Sequence, residues 1–458
     1  MGTRRTAESY TNCSANGAEK QESSEQDLVH RIDVHLDELQ LKKQPLHLTA
    51  KTALGRISNM MRLISSAVLI LFLSVAALAQ KNSYIFVWGG DDAKKDKDFL
   101  AVINADAKSP DYGKVVASVA VPGAGGQPHH TEAEMSSSGF LLADAFESGQ
   151  TSLFDLRKPT QPKLVTTFSD MNGYMHPHTY TRLSNGHVVA TFQYHGGHEP
   201  KSDGGGLVEF TQEGKFIRAG SAMDPAAKDA LIRPYSVVEL PAIDRAVSTN
   251  MSMHFKTDGK TNTLQIWRLS DLKLLRTLTL PPGPRRTEQM LPGEPRLLND
   301  GKTVLVHTFS CGLYVLEGTD SDSPRLRHAY TFDGDLCAVP LQIGHYWIQT
   351  LSAVKAVAVY DISDLANIRE VSRVALNDKQ FPHWMSADSD HRRILLNSGE
   401  YADHRLYILN FDPEKGALSL DEKFRDSGSN QPGVSMDGKT WPHGFTGDAY
   451  GHGAVFSR

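Results

Sequence analysis

Residues 295–332 read PRLLNDGKTVLVHTFSCGLYVLEGTDSDSPRLRHAYTF. Apolar and polar positions alternate through four short runs in this stretch. The breaks between runs carry an Asp-Gly step at Asp300-Gly301 and a polar turn with Asp and Pro at residues 318–324. Period-two alternation between turn residues predicts β-strands, and Asp-Gly predicts a tight hairpin between the first two. The stretch is therefore predicted to hold four consecutive antiparallel strands.

The same form recurs outward in both directions. Hairpin patterns begin at Phe99, Ser152, Gly206, Leu264, Gly312, Val357 and Arg405, and their equivalent positions Leu100, Leu153, Leu207, Leu264, Leu313, Val357 and Leu406 lie 44 to 57 residues apart. Between them sit further strand–turn–strand units, clearest in TRLSNGHVVATF at residues 181–192. A repeat of about this length with four strands per unit is the signature of a propeller. Seven units predict an all-β, seven-bladed β-propeller. Its first blade takes outer strands from Tyr84 to Val121, and its inner strand comes from the C-terminal segment, residues 441–456. No helical pattern longer than two turns competes with this reading.

The chain has 458 residues, 40% of them hydrophobic and 22% charged, with a formal net charge of -5. That balance fits a globular protein and lacks the basic stripe of a nucleic-acid binder. Residues 1–59 are polar and share no spacing with the repeat, and are read as a non-native or disordered N-terminal extension. Residues 60–79 follow as Met60-Met61-Arg62, an apolar stretch, and Ala77-Leu78-Ala79. This is the pattern of a signal peptide with a small-residue cleavage site before Gln80. A signal-anchor is the competing reading, although the apolar stretch is short for a membrane span. Either way residues 80–458, a single propeller domain, are expected outside the cytoplasm, periplasmic or secreted. Cys311 and Cys337 are the cysteines of that domain, and in an exported chain they could pair or stay as thiols.

The leading residues of each blade's first strand line one mouth of a propeller's channel. In chain order they read Pro128-His129-His130, Pro177-His178, Pro234-Tyr235, Glu294-Pro295-Arg296, Val339-Pro340-Leu341, Pro382-His383-Trp384 and Pro442-His443. Proline suits the start of a strand, where no ladder hydrogen bond is lost. The histidines fall on blades seven, one, two and three, which are neighbours in the ring. Several imidazoles converging without thiolates predict a transition-metal site, with His129, His130, His178, His383 and His443 as candidate ligands. Strict alternation would send His129 and His130 to opposite faces, so that one of the two reaches the metal. Glu294 and Tyr235 complete the ring and are the candidate catalytic groups. His195 and His198, in a Gly-rich loop, are read as solvent-exposed, and histidines at turns or mid-strand, among them His254, His307 and His452, receive no role. Neither a phosphate-binding Gly-rich loop nor a GxSxG elbow is present, which argues against nicotinamide enzymes and serine hydrolases.

The segment HHTEAEMSSSGFLLADAFESGQTSLFDL from His129, the stretch PHTYTRLSNGHVVATFQYHGG from Pro177 and the terminal WPHGFTGDAYGHG from Trp441 resemble the selenium-binding protein and methanethiol oxidase family. The resemblance implies a seven-bladed propeller and a copper ion held by channel histidines. It also implies oxidation of methanethiol to formaldehyde, hydrogen sulfide and hydrogen peroxide. His129, His130, His178 and His443 match family histidines, whereas His383 aligns where other members carry a different polar residue. The family's cysteine pair after the double histidine is replaced by Ser136-Ser137-Ser138, which argues against selenium binding through thiols.

Two function classes follow. One is an exported copper-dependent oxidoreductase acting on a small sulfur compound. The other is a non-catalytic metal-binding or scaffolding propeller. A histidine-hubbed copper centre like that of nitrous oxide reductase fits less well, because blades four, five and six offer Tyr, Glu and Leu.

Overall fold

The computed structural model describes residues 83–197, 203–399 and 403–458. Their regular structure is almost entirely β-strand, arranged as seven sheets of at least four strands around a ring. The stretch that opened the sequence reading forms blade five, with strands Pro292–Leu297, Val304–Thr308, Gly312–Glu317 and Arg325–Thr331. The ring closes as predicted from the C-terminus: Ala449–Phe456 pairs antiparallel with Tyr84–Asp91 and becomes the inner strand of blade one. The extension and signal segment read from residues 1–79 lie outside the described residues.

Each blade is sandwiched between two others, which explains why the middle strands are apolar on both faces. Every residue of Tyr84–Asp91 is buried. Ile85 and Val87 pack with Leu395, Leu406 and Ile408 of blade seven, while Phe86 and Trp88 pack with Leu141, Ala143 and Phe154 of blade two. Burying side chains of this size contributes roughly 1.5–3 kcal/mol each, so the interblade layers supply the main driving force for ring closure. Outermost strands are wetter: in Arg369–Ala375 Ser372 and Val374 are partly buried and the other residues are exposed.

Cys311 and Cys337 form a disulfide with Cα atoms 5.1 Å apart. The bridge ties the turn after Val304–Thr308 of blade five to the segment entering blade six. Among the described residues, no helix is long and apolar enough to cross a membrane.

Candidate metal centre

Five of the seven inner strands share a backbone irregularity that the repeat does not advertise. Their pairing slips between Pro128 and Thr131, between Pro177 and Tyr180, between Pro234 and Val237, and between Pro292 and Pro295. The closing strand slips where Val87 and Gly89 face Ala454 and Gly451. In each case two residues stand where the ladder is broken: His129-His130, His178-Thr179, Tyr235-Ser236, Gly293-Glu294 and His452-Gly453. Proline, which has no N–H to give, marks the slip in four of the five strands.

The slip re-aims consecutive side chains. His129 and His130 do not alternate; their rings stack with centroids 4.4 Å apart and planes 2° from parallel. The expectation that only one of the pair faces the channel is corrected by this bulge. Backbone groups freed by the slips are caught by side chains of second strands. The His130 N–H donates to Asp144 Oδ1 at 2.9 Å, and the Thr179 N–H donates to Thr191 Oγ1 at 3.1 Å. Thr249 Oγ1 donates to the Gly293 carbonyl at 2.7 Å, and Asn397 Nδ2 to the His452 carbonyl at 2.6 Å. Such support holds the channel residues in one conformation.

Four imidazoles meet at the bulges of blades one, two and three. His129, His130 and His178 each offer a ring nitrogen, and these lie within 4.8 Å of one another. His452 packs on His129 with centroids 4.1 Å apart. His383, placed just before the inner strand Trp384–Ala387 of blade seven, brings its Nε2 to 3.0 Å from His452 Nε2. Relative exposures of 3%, 1%, 0% and 1% for His129, His130, His178 and His452 put the group out of bulk water. Burial pushes all four imidazoles well below their ordinary pKa, and it pushes His383 down to about 4. They are therefore neutral near pH 7, the form that can donate a lone pair to a metal.

His443 stands elsewhere. It lies in the turn of a small hairpin formed by Lys439–Thr440 and Thr446–Gly447, ahead of the closing strand. Its ring packs on Phe99 at 4.6 Å and its Nδ1 is 2.7 Å from Ser118 Oγ on the outer strand of blade one. The Pro442-His443 step imitates the others in sequence but is spent on a turn before the strand begins. His452, to which sequence reasoning gave no role, occupies the channel position instead. The signal for it was the Gly451-His452-Gly453 triplet, since glycine inside a strand marks a bulge or a close backbone approach. A Cβ on Gly453 would sit 2.4 Å from the Thr131 amide nitrogen and 2.8 Å from the His129 carbonyl.

Tyr235 is buried on blade four with its ring 3.8 Å from that of His178. Glu294, also buried, accepts from Ser236 Oγ and lies 3.4 Å from Arg296 Nη1, so its partners are polar groups of blades four and five. His195 ends the strand Val188–His195 with an exposed side chain, and His198 lies outside the described residues. Beside the histidines opens a cavity of about 450 Å³, lined by His129, His383 and Tyr235 together with Phe146, Phe309 and Met251.

The histidines fit a transition metal. Buried nitrogens of His129 (Nδ1), His130 (Nε2), His178 (Nε2) and His452 (Nδ1) have no hydrogen-bond partner. Buried polar atoms left unpaired are costly and call for a ligand or an ion. Metal–imidazole bonds are about 2.0–2.1 Å long, so the three nitrogens on blades two and three, within 4.8 Å of one another, would draw together around an ion.

No family model matches the chain. A methanethiol oxidase from Hyphomicrobium sp is 27% identical over 227 residues, which are 46% of this chain and 51% of that protein. The chain thus matches about half the length of this curated relative. Among solved structures, a hypothetical selenium-binding protein from Sulfolobus tokodaii superposes with a TM-score of 0.65 at 16% identity, covering 83% of this chain and 94% of that one. A periplasmic gluconolactonase of Pseudomonas aeruginosa gives 0.53 at 12% identity over 74% of this chain and 95% of its own. These structural likenesses establish the seven-bladed fold. The sequence match adds that the chain is similar to a methanethiol oxidase over about half its length.

Proposed function

We propose that the chain is an exported copper-dependent oxidoreductase that oxidises a small thiol at the histidine cluster. The observation that carries this reading is the convergence of His129, His130 and His178, buried and with unpartnered nitrogens, in a chain similar to a methanethiol oxidase. These three residues would hold the ion, with His452 as the adjoining fourth imidazole. Copper bound there would supply a Lewis-acidic, redox-active centre for a thiolate and for dioxygen.

The protein's own groups set the conditions for that chemistry. The bulges fix the imidazoles before any ligand arrives, and full burial leaves the cavity beside His129 and His383 as the approach for a substrate. Tyr235 holds the His178 ring from one side and lines the cavity, where it can orient a bound thiol. Glu294 Oε1 is buried without a hydrogen-bond partner and is the candidate to take up a proton. For methanethiol the balance is one thiol, one dioxygen and one water giving formaldehyde, hydrogen sulfide and hydrogen peroxide. The Cys311–Cys337 disulfide supports an oxidising compartment, in keeping with the signal sequence read at residues 60–79.

The test is turnover by the purified, copper-loaded chain with methanethiol, following oxygen uptake and sulfide release together. Coupled consumption and release, abolished in His130→Ala, is the expected result. Copper-loaded protein that consumes no oxygen with methanethiol or any longer thiol overturns the reading.

A further inference from the structure

The cavity beside the histidines is far larger than a one-carbon thiol needs. Its volume is about 450 Å³, whereas methanethiol displaces roughly two waters, or about 60 Å³ on a share of about 30 Å³ per water. The wall is apolar and aromatic. Met251, Leu291 and Phe309 pack in one cluster with Tyr235, and Met253 and Leu336 lean on it. The charged groups of the lining, Glu147 and Lys256, are exposed at its edge.

Blade four contributes Tyr235 and residues 251 and 253–257 to this wall. Between its strands Arg245–Asn250 and Thr263–Arg268 the chain makes an excursion through residues 251–262, which includes the short helix Phe255–Asp258. Blades two, five and six make tight turns at the same place, over residues 146–149, 309–311 and 352–355. The excursion is tied down by Gln193 of blade three and by a bond of its own. Gln193 Nε2 donates to the Met251 carbonyl at 2.8 Å, the Met253 N–H donates to Gln193 Oε1 at 3.1 Å, and Ser252 Oγ donates to Asp258 Oδ2 at 2.7 Å. An anchored apolar wall facing a buried donor cluster is the form of a binding pocket for an apolar ligand with one polar or soft end.

We infer that this pocket selects a thiol bearing an apolar tail of about four to eight carbons or an aromatic ring, with sulfur toward His129 and the tail against Met251, Met253, Phe309 and Leu336. The inference rests on the thiol-oxidase reading for the choice of sulfur, and on the cavity alone for the tail. Charged thiols are disfavoured, because Glu147 and Lys256 stand exposed at the edge and the wall that meets the tail, Met251, Met253, Phe309 and Leu336, has no charge to pair with theirs.

The test uses probes that carry the sulfur but no S–H to oxidise: dimethyl sulfide, butyl methyl sulfide and hexyl methyl sulfide. Binding to the full purified chain is measured by calorimetry. Each buried methylene is expected to tighten binding about fourfold, so the hexyl compound binds at least about 100-fold more tightly than dimethyl sulfide. Met253→Trp or Leu336→Trp, which fill the pocket, lowers hexyl binding at least about tenfold. Flat affinity across the series in the wild-type chain overturns the inference, even if methanethiol is oxidised. A steep series in a protein that oxidises no thiol keeps the pocket and removes the proposed reaction.

Discussion

Blades two and three meet the channel with the same bulged backbone as blades four and five, yet the two halves of the ring carry opposite chemistry. On one side the bulge residues are His129-His130 and His178, joined by His452 of blade one, and they crowd into a dry donor cluster. On the other they are Tyr235-Ser236 and Gly293-Glu294, of which Tyr235 lines the cavity. The bulge recurs on five of the seven inner strands; the side chains mounted on it give one half of the channel a cluster of imidazoles and the other Tyr, Ser and Glu. The imidazole cluster is thus placed by strand residues, whereas the cavity wall needs the excursion of blade four.

The sharpest way to break this comparison is to remove one group from each half. His178→Ala is expected to lower metal affinity by more than about 100-fold, since even groups one shell removed from a metal cost 10–100-fold. Tyr235→Phe is expected to leave the metal in place and to change turnover by no more than about tenfold. Equal losses in both variants, measured as metal content and oxygen uptake, would erase the distinction between the halves.

Acid offers a second probe of the donor half. His129, His130, His178, His383 and His452 are neutral when folded because burial depresses their pKa, and burial likewise pushes His307 down to about 3. In the unfolded chain they protonate near pH 6.5. Between that pH and their folded pKa the unfolded state binds more protons, so stability falls as pH falls. Each contributes about 1.4 kcal/mol per pH unit. Metal-free protein is expected to show a steep loss in urea midpoint from about pH 6.5 to pH 4. His178→Gln should flatten that slope by about one proton.

Beside the cavity, the disulfide braces Phe309 and Ala338, which flank the bridge in sequence and line the cavity. Cys337→Ser is expected to cost about 2–4 kcal/mol of unfolding free energy, read by chemical denaturation. The smallest effect is expected outside both halves. His443→Ala loses one hydrogen bond to Ser118 and should cost about 0.5–1.5 kcal/mol with metal content unchanged.

How much of this was legible in the sequence follows from which rule governs each residue. Strand alternation is a property of the backbone, so the seven repeats and their closure by the C-terminal strand could be read from residues such as Leu100 through Leu406. Bulges break that same rule, and nothing in His129-His130 alone says that the pair stacks on one side. The Pro-His step found His129, His130 and His178 because proline marks where the ladder slips, and His383 because proline marks the start of an inner strand. It misplaced the last histidine because Pro442 serves a hairpin turn, while the true bulge at Gly451-His452-Gly453 needs glycine to let blades one and two approach. The cavity was invisible, since Met251, Phe309 and Leu336 come from three separate segments and meet only when the ring closes.

The central claim is that copper sits on the bulge histidines and not on His443. Elemental analysis of the purified full chain after copper reconstitution and desalting, run beside His178→Ala and His443→Ala, tests it most directly. One copper per chain in the wild type and in His443→Ala, with almost none in His178→Ala, is the predicted result. A wild-type chain that retains no copper, or a His443→Ala chain that loses it while His178→Ala keeps it, would contradict the account.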